Sequence, residues 1–166
     1  AGAGEGEGDG DDDLMVGADH QAAGGGNAGA GYLRLGPISG TVDLSSADAK
    51  LVGEASNDNA GYSVSGAGDI DGDSHDDLVA GAPGHSENGS EVGAAYLVLG
   101  PVSGAVSLST ARAKFIGEAD NDNAGCSVAG GGDVDGDGYA DLLIGAYGHS
   151  AGGLWASAVY LILGGP

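Results

Sequence analysis

Apolar residues along this chain come in short runs set off by stretches rich in Gly, Asp, Asn, Ser and Pro. Four such runs, 62–67, 78–82, 94–99 and 113–117, have the length of strands rather than helices. The residues between them carry the chemistry of tight turns. The Ala-containing run 47–52 is too short to nucleate a helix on its own, and it is read as coil entering a strand. The run 62–67 and its later counterpart are nearly all small residues, SVSGAGD and SVAGGGD, which suits a strand crowded against a central axis.

The same pattern then repeats. The segment GEASNDNAGYSVSGAGDIDGDSHDDLVAGAPGHS, 53–86, recurs without a gap as GEADNDNAGCSVAGGGDVDGDGYADLLIGAYGHS, 117–150, a displacement of 64 residues. Between 51–100 and 115–164 about 29 of 50 positions are identical. An earlier, partial copy is marked by Leu14, Gly17, Ala18, Tyr32, Leu33, Leu35 and Gly36. Self-similarity at such a period is the signature of a repeat architecture, and four short strands per repeat suggest the radial blades of a β-propeller. The expected fold is all-β, a partial β-propeller of about 2.6 four-stranded blades on a 64-residue repeat. Its divisions are 1–52, a partial first repeat; 53–116, the second; and 117–166, an incomplete third. The chain is expected to be part of a longer polypeptide or to complete a circle by self-assembly, three copies giving roughly eight blades, at the top of the range for propellers.

Composition narrows the function classes. Of 166 residues 25 are acidic and four basic, for a net charge of -21. With so little positive charge there is no source of counterion release, so nucleic acid is excluded as a partner. No apolar run approaches the roughly 18 to 20 residues that cross a bilayer as a helix, and a soluble chain is expected. The single Cys126 rules out an intrachain disulfide framework. It replaces Tyr62 of the preceding repeat and is expected to be a small buried hydrophobe.

The acid is concentrated between the first and second strands of each repeat. Asp69, Asp71, Asp73 and Asp77 surround Gly72 and His75; Asp133, Asp135, Asp137 and Asp141 surround Gly136 and Tyr139. Both read DxDxDxxxD followed by Leu. Alternate carboxylates around a Gly-permitted turn build an oxygen cage for a hard cation, whereas without one four like charges repel each other within nine residues. The side chains at positions one, three, five and nine are the expected ligands, with the main-chain carbonyls of His75 and Tyr139 at position seven. An EF-hand also begins this way but needs a Glu at position twelve and flanking helices; here position twelve is Ala80 or Ile144, inside β-like runs. A dockerin-like pair of loops fails on the same ground, and zinc finds no nitrogen or sulfur set. A loop supplying this many protein oxygens favours Ca2+ over Mg2+, which keeps its waters. The first copy has Glu5, Glu7, Asp9, Asp11 and Asp13 in the same register, and its longer side chains predict a third, weaker calcium site.

These motifs carry a resemblance. The N-A-G-[YC]-S-V segment, the DxDxDGxxD loop and the following D-L-[VL]-[AI]-G-A-[PY] resemble the FG-GAP repeat of integrin α-chain propellers and their bacterial relatives. The family's Phe-Gly is Ala60-Gly61 and Ala124-Gly125 here, and its Gly-Ala-Pro is intact only at Gly81-Ala82-Pro83. The resemblance implies a calcium-braced propeller, non-catalytic, used outside the cell or at its surface for adhesion or recognition of a protein or glycan. It also implies that loops 54–60, 118–124 and 83–93 form the recognition face, opposite the metals. Two other readings stand beside it: an accessory region of a larger secreted enzyme, and a structural spacer. His85 and His149 recur at one repeat position, which is expected from loop geometry alone. Trp155, without a counterpart in the previous repeat, is expected at a blade edge. Gly24-Gly25-Gly26 lacks the helix and Lys of a phosphate cradle, and Arg34 at the position of Val98 and Ile162 suggests that the first blade shows that face to solvent.

Overall fold

The structure is a computed structural model that describes residues 1–3, 11–153 and 156–166. Its strands are β1 (Leu14–Ala18), β2 (Ala30–Arg34), β3 (Ala49–Val52), β4 (Ser63–Gly68), β5 (Asp77–Ala82), β6 (Ala94–Val98), β7 (Gly104–Ser107), β8 (Ala113–Ile116), β9 (Ala124–Gly132), β10 (Asp141–Ala146) and β11 (Ala158–Ile162). The only helical elements among the described residues are two 3₁₀ turns, Leu44–Ser46 and Leu108–Thr110. Asp43 caps the first by accepting from Ser45 N–H, and Ser107 caps the second by accepting from Ser109 N–H.

The strands form three sheets, ordered β1-β2-β3-β7, β4-β5-β6-β8 and β11-β10-β9. Each is an antiparallel meander apart from β7, which lies parallel to β3. The three sheets are blades of a partial β-propeller, numbered here one to three in chain order. Blades one and two pack face to face through Met15, Leu33, Leu51, Leu78, Tyr96 and Val98. Blades two and three pack through Val79, Leu97, Val128, Leu142 and Ile144. Alternate residues of β5 therefore serve different interfaces: Leu78 and Ala80 face blade one, and Val79 faces blade three. This explains why every residue of β5 is buried, whereas β11 alternates between half-buried and exposed.

Close approach between blades accounts for the small residues of the repeat. A Cβ on Gly81 would lie 1.9 Å from the Gly125 carbonyl oxygen, and one on Gly17 would lie 2.0 Å from that of Gly61. At the inner strands a Cβ on Gly130 would stand 2.9 Å from the Gly66 carbonyl oxygen, so β4 and β9 meet backbone to backbone, as the Gly-rich inner strand predicts. Ala60 and Ala124, which stand at the Phe position of the FG-GAP motif, are buried at the crossings to Gly29 and Gly93.

β7 is absent from the sequence-based expectation. It belongs by sequence to the second repeat, yet it pairs with blade one, with Leu51 opposite Val106. Its connection carries Val102, Val106 and Leu108 onto the core between the two blades. Cys126 is half-buried rather than buried, with its Sγ donating to the Gly145 carbonyl at 3.4 Å. Arg34 is also half-buried, held by Asp48 at 2.6 Å.

Candidate metal loops and the opposite face

The turn joining β4 to β5 and the one joining β9 to β10 are built alike. Asp69 Oδ1 accepts from the N–H groups of Gly72 and Asp73, at 2.7 and 3.0 Å, and its Oδ2 accepts from Ser74 at 2.9 Å. Asp133 does the same with Gly136, Asp137 and Gly138, at 2.6, 3.1 and 2.9 Å. The first carboxylate thus winds the following backbone around itself, and the winding needs φ values of +81° at both Gly72 and Gly136, which favour glycine. Asp71 and Asp135 accept from the N–H of Asp73 and Asp137. Asp73 and Asp137 in turn accept from the N–H of His75 and Tyr139, at 2.8 and 2.9 Å.

The ninth position is different in kind. Asp77 is 0% exposed; its Oδ2 accepts from Ile70 N–H and its Oδ1 from Gly100 N–H, both at 2.9 Å. Asp141, equally buried, accepts from Val134 at 2.7 Å and from Gly164 at 2.9 Å. In the first copy Asp13 is buried and accepts from Gly36 N–H at 3.1 Å. This carboxylate therefore pins the acidic loop to the residue just after the third strand of its own blade. Burial pushes the carboxyl of Asp77 above the usual range, and the negative charges of Asp71 and Asp73 add to the rise, while the two amides oppose it.

Ligand oxygens of Asp69, Asp71 and Asp77 lie within 4.8 Å of one another, as do those of Asp133, Asp135 and Asp141. Positions one, three and nine are thus brought together by side chain. Asp73 and Asp137 stand outside these trios, and their carboxylates cap the N–H of the seventh residue. His75 and Tyr139 hold the seventh position, and the Tyr139 ring lies against Gly72 of the neighbouring loop. The two loops are further joined by Ala140 N–H donating to the Asp69 carbonyl at 2.9 Å. None of the ion pairs among the described residues involves these carboxylates. An all-oxygen set of converging, uncompensated carboxylates fits a hard divalent cation. Glu5, Glu7 and Asp9 lie outside the described residues, as does Trp155; Asp11 is half-buried beside Gly36.

The other end of the blades carries the loops that enter β4 and β9 and those that join β5 to β6 and β10 to β11. Here charges are compensated from within. His85, 3% exposed, places Nδ1 at 3.3 Å from Asp58 and Nε2 at 3.3 Å from Glu87. Lys114 from β8 donates to Glu54 at 2.9 Å and also contacts Glu87. The Asp58 carboxylate, as acceptor to the ring, raises the His85 pKa above its ordinary value; burial opposes this, the Asp58 charge and Glu87 add to the rise, and the Lys114 charge opposes it. In the next repeat His149 Nδ1 lies 3.1 Å from Asp122, and Tyr160 O–H donates to Glu118 at 3.0 Å; burial first, and then this hydrogen bond, push its phenol up to about 12. The recurrence of His85 and His149 thus reflects a His–Asp contact made in both repeats, buried at His85 and half-buried at His149. The signal available in the sequence was the joint recurrence of Glu, Asp, His and Tyr at one spacing.

The FG-GAP repeat profile matches residues 60–98 and 124–162, each span running from the start of one inner strand to the end of the third strand. Integrin alpha pat-2 of Caenorhabditis briggsae is 37% identical over 89 residues, and its counterpart in Caenorhabditis elegans is 35% identical over the same length. These alignments cover 52% of this chain and 7% of each relative. No helix among the described residues is long and apolar enough to cross a membrane. The chain carries two FG-GAP repeats, at residues 60–98 and 124–162, and is similar to integrin α over about half of its length.

Proposed function

We propose that this chain is a calcium-binding, non-catalytic propeller module that serves adhesion or recognition of a protein or glycan outside the cell or at its surface. The observation that carries the reading is the twofold recurrence of one acidic loop. Each copy has three converging carboxylates, the ninth buried and anchored, and no cationic side chain in ion-pair contact. Asp69, Asp71 and Asp77 would hold one ion and Asp133, Asp135 and Asp141 another, with Asp73, Asp137 and the carbonyls of His75 and Tyr139 completing each cage. Ca2+ would supply the positive charge that the loops lack, and binding to the folded loops alone stabilises the fold by mass action. Because Asp77 and Asp141 also hold the residues after the third strand, bracing the loop braces its blade. The loops at the other end, 54–60, 83–93 and 118–124, would then present a recognition face.

The similarity to integrin α chains supports an extracellular setting. Calorimetric titration with CaCl2 tests the metal assignment. Two ions are expected to bind the wild type, and one each the Asp71→Ala and Asp135→Ala variants; absence of binding heat in the wild type at millimolar calcium would refute the assignment.

A further inference from the structure

The buried cluster around His85 joins two loops that are separate in sequence. The loop entering β4 contributes Glu54 and Asp58, the loop after β5 contributes His85 and Glu87, β6 contributes Tyr96 and β8 contributes Lys114. These are the charged and titratable groups facing the imidazole among the described residues. The backbone ties the same loops together: Gly84 N–H donates to the Asp58 carbonyl at 3.1 Å, and Gly93 N–H donates to the His85 carbonyl at 3.0 Å. Asp58 Oδ2 also accepts from Ala55 N–H at 3.1 Å, so its carboxylate organises its own loop while its other oxygen faces His85.

Ligating atoms of Glu54, Asp58 and His85 come within 4.8 Å of one another, yet the arrangement is not a metal site. The two ring nitrogens face different carboxylates, and the Lys114 ammonium already stands between Glu54 and Glu87. Three carboxylates face one lysine, so a proton on the imidazole is what brings the cluster closer to neutrality. Only the imidazolium can donate from both nitrogens at once, to Asp58 and to Glu87. The neutral ring has one N–H: with Nε2 donating to Glu87, Nδ1 is left as an acceptor for the Tyr96 O–H at 3.4 Å, and its charge-assisted contact with Asp58 is lost.

We propose that His85 is a proton-operated clamp between the loop entering β4 and the loop joining β5 to β6, closed when the imidazole carries both protons and loosened when it loses one. The end of the module opposite the acidic loops then loses rigidity as pH rises through the His85 titration. The raised His85 pKa moves release to higher pH than for an ordinary imidazole. The corresponding site of blade three provides an internal control. His149 keeps its Asp122 partner, but Ala151 stands where Glu87 would be, so its second nitrogen has no equivalent carboxylate.

The test is carried out at saturating calcium, so that its outcome is independent of the metal reading. The His85 imidazole is titrated by NMR, and amide hydrogen exchange is followed at Ala55, Gly84 and Gly93, corrected for intrinsic pH dependence. Protection at these amides is expected to fall several-fold as pH rises, in step with the His85 titration, and to change less at Gly148 of blade three. His85→Gln should abolish the dependence. Glu87→Gln, an exposed and readily tolerated change, should lower the titration midpoint and weaken the dependence even if His85→Gln fails to fold. Exchange in the wild type that ignores pH, a His85 midpoint at or below the ordinary value of about 6.5, or an unchanged midpoint in Glu87→Gln would overturn the clamp.

Discussion

The two ends of the second blade solve opposite electrostatic problems. At one end Asp69, Asp71, Asp73 and Asp77 crowd together without an ion-pair partner among the described residues, and backbone N–H groups donate to them. At the other, Glu54, Asp58 and Glu87 are met by Lys114 and His85. Similar numbers of carboxylates thus yield an end without side-chain counter-charges among the described residues, which on the proposed reading takes a cation from solvent, and an end that carries its own. The first should respond to calcium and the second to protons.

That contrast can be broken by substitution. The largest effect is expected from Asp77→Ala, which leaves the N–H groups of Ile70 and Gly100 without their partner and removes a carboxylate from the cage; two buried amides together cost about 3 kcal/mol. Thermal melting should show this loss without calcium, and the response to added calcium should shrink. Next comes Asp58→Ala, which strands Ala55 N–H and a buried imidazole, at about 2 kcal/mol. Its cost, measured by denaturant titration, should be the same with and without calcium, since it lies at the other end.

A smaller effect separates the ends by pH. The folded-state pKa of His85 is raised, so its contribution to stability is complete below the unfolded value of about 6.5 and disappears as pH rises through the folded value. The difference in unfolding free energy between wild type and His85→Gln should therefore be greater at pH 6 than at pH 9. A gap that is constant across this range would mean that the side chain matters for packing and not for charge. The smallest effect belongs to Asp73→Ala, which removes an exposed cap on His75 N–H: stability without calcium should change by about 0.5 kcal/mol. Calorimetry on this variant would show how far the fifth position contributes to the ion.

Much of this was legible in the sequence because the repeat states it twice. Strands β5, β6 and β8 lie within one residue of the runs 78–82, 94–99 and 113–117. The inner strand announced itself through Gly66 and Gly130, whose lack of a Cβ is required by backbone contact. β7 was not legible: its sequence, GAVS, is too short to stand out, and its parallel partner lies in the preceding repeat. Within the acidic loops, spacing marked the carboxylates but could not separate Asp77, buried between two amides, from the exposed loop carboxylate of Asp73. The partners of His85 come from positions 54, 58, 87 and 96, which only the folded blades bring together.

The most direct test of the account is thermal unfolding of the chain in a calcium chelator, in excess Ca2+ and in excess Mg2+, at one pH and ionic strength. The acidic loops predict a melting temperature raised strongly by Ca2+, raised less by Mg2+ and lowest in the chelator. Three superimposable transitions would contradict the claim that this end of the module takes its missing positive charge from a bound ion.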